Sequence, residues 1–524
     1  MELGENMFVV CAAILFICGV LIRWILMKMK MMMVESLLVF PIPNIININI
    51  PPLMKMLPTL YLKSHQLYTK ITQVLEENRG TVLFKTSWFT SHDILITSDP
   101  INVRHVMNSK FTIYQRGSEF KKAFDFLGEA VFIKDYDQWR EEKRFTHGFF
   151  KEARFHDSIP KTLQKTLEKA LIPVLDHHSH HHQELELQDF FNRFMLDATC
   201  LMATGFDLGA LRVGLPPCSL LKAMDDMAEA VFCRHILPER VWKLQRWLGI
   251  GKERKMSKAC KNLNQILANF VSKKYEEIDS NKSTRESNQG FDVLNFYISS
   301  ATKGSSSPEK AYLAANIMTI LFAGRDTSAA LLTWFFHLIS THPRVETTII
   351  EEIKKITSPG TTSHIFSNIE ELNKLVYLHA TLYETLRLFP TAPVIIRDPV
   401  NEDVLPTGHR IGKGTKVILC SYAMGRRRDI WGDDCKEFKP ERWMSRDENG
   451  GTKHVASSSF LAFGSGPWAC PGKDLGFARM KGVVATMLHN FKIRVLEGQT
   501  ISPSVSALLS MRHGLKVRVR SRWN

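Results

Sequence analysis

Pro308 opens a helical pattern that runs without a breaker as far as His342 and Pro343. Ser307 is placed as its N-cap, Pro308 as its first helical residue and Glu309 close behind, the order that a helix start favours. The segment AYLAANIMTILFAGRDTSAALLTWFFHLIS is apolar enough to suggest a membrane span. Arg325 and Asp326 interrupt it before the ~20 residues that a span requires. The pattern therefore predicts a helix buried through the middle of a globular domain. Only a large core can hold such an element. The chain supplies one, with 524 residues, 44% of them hydrophobic and 23% charged, which excludes a disordered tail, a collagen-like rod and a small disulfide scaffold.

Most of the remaining periodicity is helical as well, and from about Leu60 to Asn524 there is no internal repeat and no long linker. The polar stretches Asp279 to Gly290 and Ser299 to Ser307 are too short to separate domains. His177 to His182 form a histidine-rich tract, which is read as an exposed loop in preference to a metal site.

The N-terminal end reads differently. Met7 to Ile22 carry no charge, and with Arg23 snorkelling the apolar run extends to Met27, which is spanning length. Glu2 and Glu5 precede it, whereas Arg23, Lys28 and Lys30 follow, so the positive-inside rule keeps the rest of the chain cytosolic. A cleaved signal would carry its basic flank on the other side and a small-residue cleavage site after it. The expected organisation is a membrane anchor over 1–30, a Pro/Ile/Asn-rich linker over 31–58 that includes Asn44 to Ile50, and one domain over 59–524.

The net charge of +15 suits an anionic membrane face or an acidic protein partner. The basic residues are scattered, with short clusters such as Arg426-Arg427-Arg428 and no aromatic-interleaved stripe, so no nucleic-acid partner is expected. None of the nine cysteines forms a CxxC pair, and Cys11 and Cys18 lie in the apolar run. That pattern is neither a zinc site nor a disulfide framework, and it points to a reducing compartment.

The decisive segment for chemistry is FGSGPWACPG, Phe463 to Gly472. Gly464, Gly466 and Ala469 imitate a dinucleotide fingerprint, but no βαβ unit surrounds them and no acid lies between Asp474 and Glu497 to bind a ribose. What remains is one cysteine in a Gly/Pro-rich turn directly before an amphipathic helix. A thiolate there gains from the helix N-terminus and nearby amides, while glycines let the backbone approach a flat ligand.

Phe463-x-x-Gly466-x-Trp468-x-Cys470-x-Gly472 resembles the heme-binding loop of cytochrome P450 monooxygenases, F-x-x-G-x-R-x-C-x-G. Other segments follow in the family's order. Ala323-Gly324-Arg325-Asp326-Thr327 is similar to its oxygen-activation signature, and Glu384-Thr385-Leu386-Arg387 to its E-x-x-R. Phe438-x-Pro440-Glu441-Arg442-Trp443 supplies the arginine of a Glu–Arg–Arg cluster. E-x-x-R alone says little, because Glu76/Arg79 and Glu141/Arg144 share its spacing. The ordered set is specific. It covers nearly everything from Leu57 to the C-terminus.

The resemblance implies a mainly α fold with small β-sheets, the cytochrome P450 fold, behind an N-terminal transmembrane helix. It implies heme iron with Cys470 as axial thiolate, and Phe463, Gly466 and Gly472 around it. Thr327 and Asp326 would deliver protons, and a small residue with Gly324 would leave room for O₂. Trp139 with Lys143 or Arg144 matches, loosely, the family's pair on a heme propionate. Trp468 departs from the family, which has an arginine there; indole offers one neutral donor in place of a charge. Weaker heme retention is the expectation.

Segments such as EFKKAFDFLGEAVF and RDPVNEDVLPTGHRI resemble the plant branch that hydroxylates fatty acids and alkanes, nearest its mid-chain alkane hydroxylases. The implied function is insertion of one oxygen atom from O₂ into a long-chain aliphatic substrate. NADPH-cytochrome P450 reductase would supply electrons at the endoplasmic reticulum membrane. Two alternatives stand beside it: phenol coupling on the same heme, and a poorly loaded, inactive member. By the family's layout, a hydrophobic substrate would lie near Phe120 to Phe132, above Ala323 and Gly324, around Pro393 to Ile396 and near Ser506 to Met511.

Overall fold

A computed structural model of the chain describes residues 66–85, 93–283, 291–301 and 309–523, apart from positions 359, 362, 446–450, 452, 454 and 505. The expected anchor, the linker with Asn44 to Ile50, and the Ser307-Pro308 helix start lie outside the described residues. Among the described residues the fold is mainly helical, with three small sheets. No described helix is long and apolar enough to cross a membrane.

Eight helices position the site: α1 (Tyr136–Lys151), α2 (Leu187–Thr204), α3 (Ser219–Ile236), α4 (Glu239–Leu248), α5 (Gly251–Ser283), α6 (Lys310–Thr341), α7 (Val376–Leu388) and α8 (Lys473–Asn490). Helix α6 is the central element foreseen from the sequence, with Glu309 at its cap. Its first half plugs into an apolar cluster shared with α3 and α5, through Leu313, Ile317 and Leu321. The second half, from Ala329 to Ile339, belongs to another cluster shared with α2, α7 and α8. Between the two cores, Phe322 to Thr327 is only partly buried, except for Arg325. Helix α2 runs alongside, capped by Glu186, whose carboxylate accepts from the Gln188 and Asp189 amides, and closed by left-handed Gly205.

The main sheet has the order β1-β2-β8-β5-β3, from β1 (Thr81–Phe84), β2 (Ile94–Thr97), β3 (Tyr114–Gln115), β5 (Ile395–Pro399) and β8 (Lys416–Leu419). Strands β4 (Glu184–Glu186), β9 (Phe491–Val495) and β10 (Lys516–Ser521) form a second sheet, and β6 (Asp403–Val404) pairs with β7 (Arg410–Ile411). One register matters for function. β3 is antiparallel to β5 with Gln115 opposite Asp398, so the chain leaves β3 with Arg116 beside Arg397.

The histidine tract is not a loop. Ile172–His180 is helical, with His178 and Ser179 buried. The Ser179 hydroxyl accepts the amide of Ser521 at the end of β10, a tertiary tie that composition cannot signal. Among the described residues no group of histidines, cysteines and acids is arranged to hold a metal ion.

Candidate functional site

The loop that carries Cys470 is shaped by its glycines and by one neighbouring turn. Gly464 and Gly466 have φ of +71° and +58°, a region that side chains avoid. A Cβ on Gly466 would also come within 2.4 Å of the Met107 carbonyl. Ser465 donates to the Asn108 side chain at 2.8 Å, which seats the loop on the turn at His105–Ser109. The Cys470 amide donates to the Phe463 carbonyl at 2.8 Å, and Phe463 packs on Phe477 of α8 at 5.4 Å between ring centroids. Gly472 caps α8, and its Cβ position would lie 4.0 Å from the Cys470 sulfur.

Cys470 is accessible, in contrast to buried Cys200, Cys420 and Cys435. Surrounding protein pushes its thiol pKa up, and the Gly472 amide only partly opposes this. The helix start and amides expected to favour a thiolate are thus outweighed by desolvation. The sulfur sits open in a rigid loop, and a metal cation in front of it would supply the missing stabilisation.

The signature on α6 divides between two faces. Ala323 is exposed on the open face. Gly324 points the other way: a Cβ there would meet the Thr199 hydroxyl at 2.7 Å, so this glycine lets α2 approach α6. The Thr327 hydroxyl donates to the Ala323 carbonyl at 2.7 Å, one turn back along the helix. Asp326 is engaged by buried Arg325, whose other end donates to Asp225 of α3 at 2.8 Å. The acid and the hydroxyl are adjacent in sequence, yet each has its own partner. A wall of phenylalanines stands by this segment: Phe120, Phe124 and Phe132 pack together at 4.6–5.5 Å, and Phe126 meets Phe322 of α6 at 5.8 Å.

Helix α1 brings Trp139 against Trp468, with ring centroids 4.0 Å apart. The Lys143 ammonium lies over Trp139 and donates to the Pro467 carbonyl; desolvation lowers its pKa. Arg144 is exposed and lines an open recess with Arg140, Lys151 and Pro467.

Two residues that sequence reasoning missed complete this corner. Half-buried Arg116 and buried Arg397 lie side by side, and the Nε of each is buried without a partner. Neither forms an ion pair among the described residues. Burial and the Arg397 charge depress the Arg116 pKa strongly, and burial brings that of Arg397 down to about 10. Arg116 packs over Phe132 at 4.4 Å and Phe120 at 5.2 Å. The only available signals were two isolated arginines far apart in the chain.

Glu384 and Arg387 of α7 form a fully buried ion pair at 2.7 Å. Arg442 reaches the same carboxylate at 3.2 Å and Trp443 donates to it at 2.8 Å. Arg387 donates further to the carbonyls of Gly425, Cys435 and Glu437. The cluster ties α7 to the chain that leads to the cysteine loop. It is structural.

An accessible cysteine in a glycine loop at a helix start, in a chain whose long central helix carries a partly open segment, is the arrangement of a heme-thiolate protein. The profile of the cytochrome P450 family matches residues 27–519, and the chain belongs to that family of monooxygenase oxidoreductases, whose members carry heme iron on a cysteine thiolate. Among its relatives, the alkane hydroxylase MAH1 of Arabidopsis thaliana is 38% identical over 89% of this chain and 92% of that protein. A noroxomaritidine synthase of Narcissus aff. pseudonarcissus is 33% identical over 90% of each. Cytochrome P450 86B1 of Arabidopsis thaliana is 32% identical over 90% of this chain and 85% of that one.

The residues present fit a heme. Cys470 offers an open sulfur, and Arg116, Arg397 and Trp468 offer buried donors without partners. Buried charge without a partner is costly. The two carboxylates of a heme edge are groups of the kind that corner lacks.

Proposed function

We propose that the chain inserts one atom of O₂ into a long-chain aliphatic substrate, an alkane or fatty acid, with electrons from a separate NADPH-dependent reductase. The observation that carries the substrate class is the phenylalanine cluster that meets α6 at Phe322, next to Ala323 in the chain, in a protein 38% identical to an alkane hydroxylase. An apolar chain is held there by burial alone, at ~25 cal/mol per Å² of apolar surface.

Cys470 would hold the heme iron through its sulfur in this reading, and Phe463, Gly466 and Gly472 shape its loop. When bound, the heme activates O₂, one atom of which goes to the substrate while the other leaves as water with two protons and two electrons. Thr327 would pass protons at its hydroxyl oxygen, which donates to the Ala323 carbonyl and keeps its lone pairs free to accept. Asp326 supplies them once Arg325 turns wholly toward Asp225. Trp139 and Lys143 brace the loop edge at Pro467, and Arg144 belongs to the outer basic face.

That outer face suits an acidic reductase surface: Arg140, Arg144, Lys151 and Arg154 are all exposed. Membrane association has support in the domain as well. Val241, Leu244, Trp247 and Leu248 on α4, with Ile236 and Ile250 beside it, are exposed, Trp247 by 80%, and Arg240 and Lys243 lie among them. We assign residues 1–30 to a single anchor, 31–58 to a linker and 59–524 to a cytosolic domain at the endoplasmic reticulum.

The test is a reduced carbon monoxide difference spectrum followed by turnover under labelled O₂ with alkanes and fatty acids. A red-shifted Soret band and one labelled oxygen in the product are expected. Cys470→Ala retaining both would end this reading. The similarity to noroxomaritidine synthase favours a second reading, oxidative coupling of a phenol; its product would carry no labelled oxygen.

A further inference from the structure

Trp468 stands where the family's loop has an arginine, and its surroundings are not those of a vacancy left by a lost charge. The indole Nε1 is buried and has no partner. One face lies on Trp139 at 4.0 Å. Two guanidiniums also lie against the ring system, Arg397 at 5.1 Å and Arg116 at 5.3 Å from its centroid. Each offers favourable cation–π contact, which weighs more in a desolvated corner. The Nε of each of these arginines is buried and unpartnered as well. Three unsatisfied donors from three segments therefore cluster around one indole: the cysteine loop, the end of β3, and β5.

Acidic groups nearby do not fill the role. The Asp398 carboxylate crowds Gly117 and leaves its Oδ1 unpartnered, and the Asp135 Oδ1 is unpartnered while its other oxygen pairs with Lys121 at 2.5 Å. Neither reaches an indole or guanidinium donor within hydrogen-bond distance. A tryptophan has one other property that an arginine lacks: it adds no third positive charge beside two guanidiniums that already repel each other. Its ring also packs against both of them.

We propose that Trp468 is a heme-anchoring residue in its own right: its Nε1–H would donate to a heme carboxylate, and its ring packs against Arg116 and Arg397, whose idle donors would serve the same anionic edge. The site thus keeps the anion-binding task with two charges and one neutral donor, in place of three charges. This replaces the expectation that the substitution weakens heme retention. It rests on the heme reading of the site.

The experiment uses the full chain in membranes or detergent. It compares wild type, Trp468→Phe and Trp468→Arg by heme per protein, by the rate of heme transfer to excess apomyoglobin, and by the propionate bending bands in resonance Raman spectra. Trp468→Phe keeps the stack and the cation–π contacts and removes only the donor. It should lose heme faster by on the order of tenfold, the worth of one hydrogen bond to a charged group, with a shifted propionate band. Trp468→Arg should retain heme no more than about twofold better than wild type, since its added charge is offset by repulsion from two neighbouring cations and by the loss of their cation–π contacts. Trp468→Phe with wild-type transfer rate and an unchanged band would overturn the proposal, as would a severalfold gain of heme in Trp468→Arg. Wild-type chain that is folded, with its helical circular dichroism intact, yet takes up no heme would overturn the heme reading itself, and the proposal with it. Should Trp468→Phe fail to fold, the decision passes to Trp468→His, which keeps a ring donor, against Trp468→Leu, which does not: His holding heme better than Leu supports the donor role, and equal heme loss in the two overturns it.

Discussion

Two clusters of arginines with buried guanidinium nitrogens stand in the same domain, one around Glu384 and one around Trp468, and they are opposites. Around Glu384, every charge has its counterpart: Arg387 and Arg442 share one carboxylate, Trp443 adds a donor, and carbonyls take the remaining guanidinium hydrogens. Around Trp468, Arg116 and Arg397 have aromatic faces and, among the described residues, no carboxylate, Arg397 donates once to the Ile396 carbonyl, and the Nε donors of both are idle. The first group is complete as soon as the chain has folded. The second is complete only with an anion from outside the chain. A closed cluster serves the fold, and an open one serves a ligand, although both are made of buried arginine.

Breaking the closed cluster should have the largest effect. Glu384→Gln leaves Arg387 buried with no counter-charge, and removing one partner of a buried pair costs about 3–5 kcal/mol. Urea unfolding should show a midpoint loss of that size or, more severely, expression without heme. A variant as stable as wild type would mean that the carbonyls of Gly425, Cys435 and Glu437 suffice for Arg387.

Neutralising the open cluster should act with opposite sign in two states. In heme-stripped protein, Arg116→Met with Arg397→Met removes two buried, mutually repelling charges, so the thermal midpoint should rise, by the equivalent of about 1–3 kcal/mol. In heme-loaded protein the same change should speed heme release at least tenfold, which is about 1.4 kcal/mol. A double variant that is destabilised in both states would show that these arginines have protein partners after all.

The same contrast explains what the sequence could and could not reveal. Cys470, Thr327 and Glu384 with Arg387 were legible because each sits in a short motif, and their order along the chain named the fold. The long helix was legible because Arg325 and Asp326 interrupt an otherwise apolar run. Arg116 and Arg397 were not, because their pairing comes from the β3–β5 register, which places Gln115 opposite Asp398. Gly324 was read as making room for O₂, but its missing side chain faces Thr199, and a helix's two faces cannot be told apart by spacing alone. The histidine tract is helical as far as His180, and Ser179 within it accepts the Ser521 amide of β10, a contact between distant segments. Which ligand fills the open corner was readable only through the family, since an unpaired donor is a property of three dimensions.

An aspartate beside each cluster sharpens the comparison through pH. Asp434, held by Arg442 at 3.0 Å and Lys439 at 3.0 Å, has its pKa drawn down to about 2. Asp398, desolvated next to the open cluster, with Glu119 and Asp135 as like charges and Lys416 and Arg397 as opposing ones, is pushed up to about 6. Linkage gives the two opposite slopes. The Asp434 carboxylate contributes stability above the ordinary carboxylate pKa, and this is lost as pH falls toward 2. Asp398 binds its proton more tightly in the folded protein, so heme-stripped protein should lose stability as pH rises from about 4 to about 6 and then level off. Asp398→Asn should flatten that second slope and stabilise the stripped protein at pH 7 by about 1–2 kcal/mol. Asp434→Asn should flatten only the first. If instead Asp398→Asn destabilises at pH 7, then its carboxylate, and not a ligand, is what Arg397 pairs with in solution, and the corner around Trp468 is closed like its counterpart at Glu384.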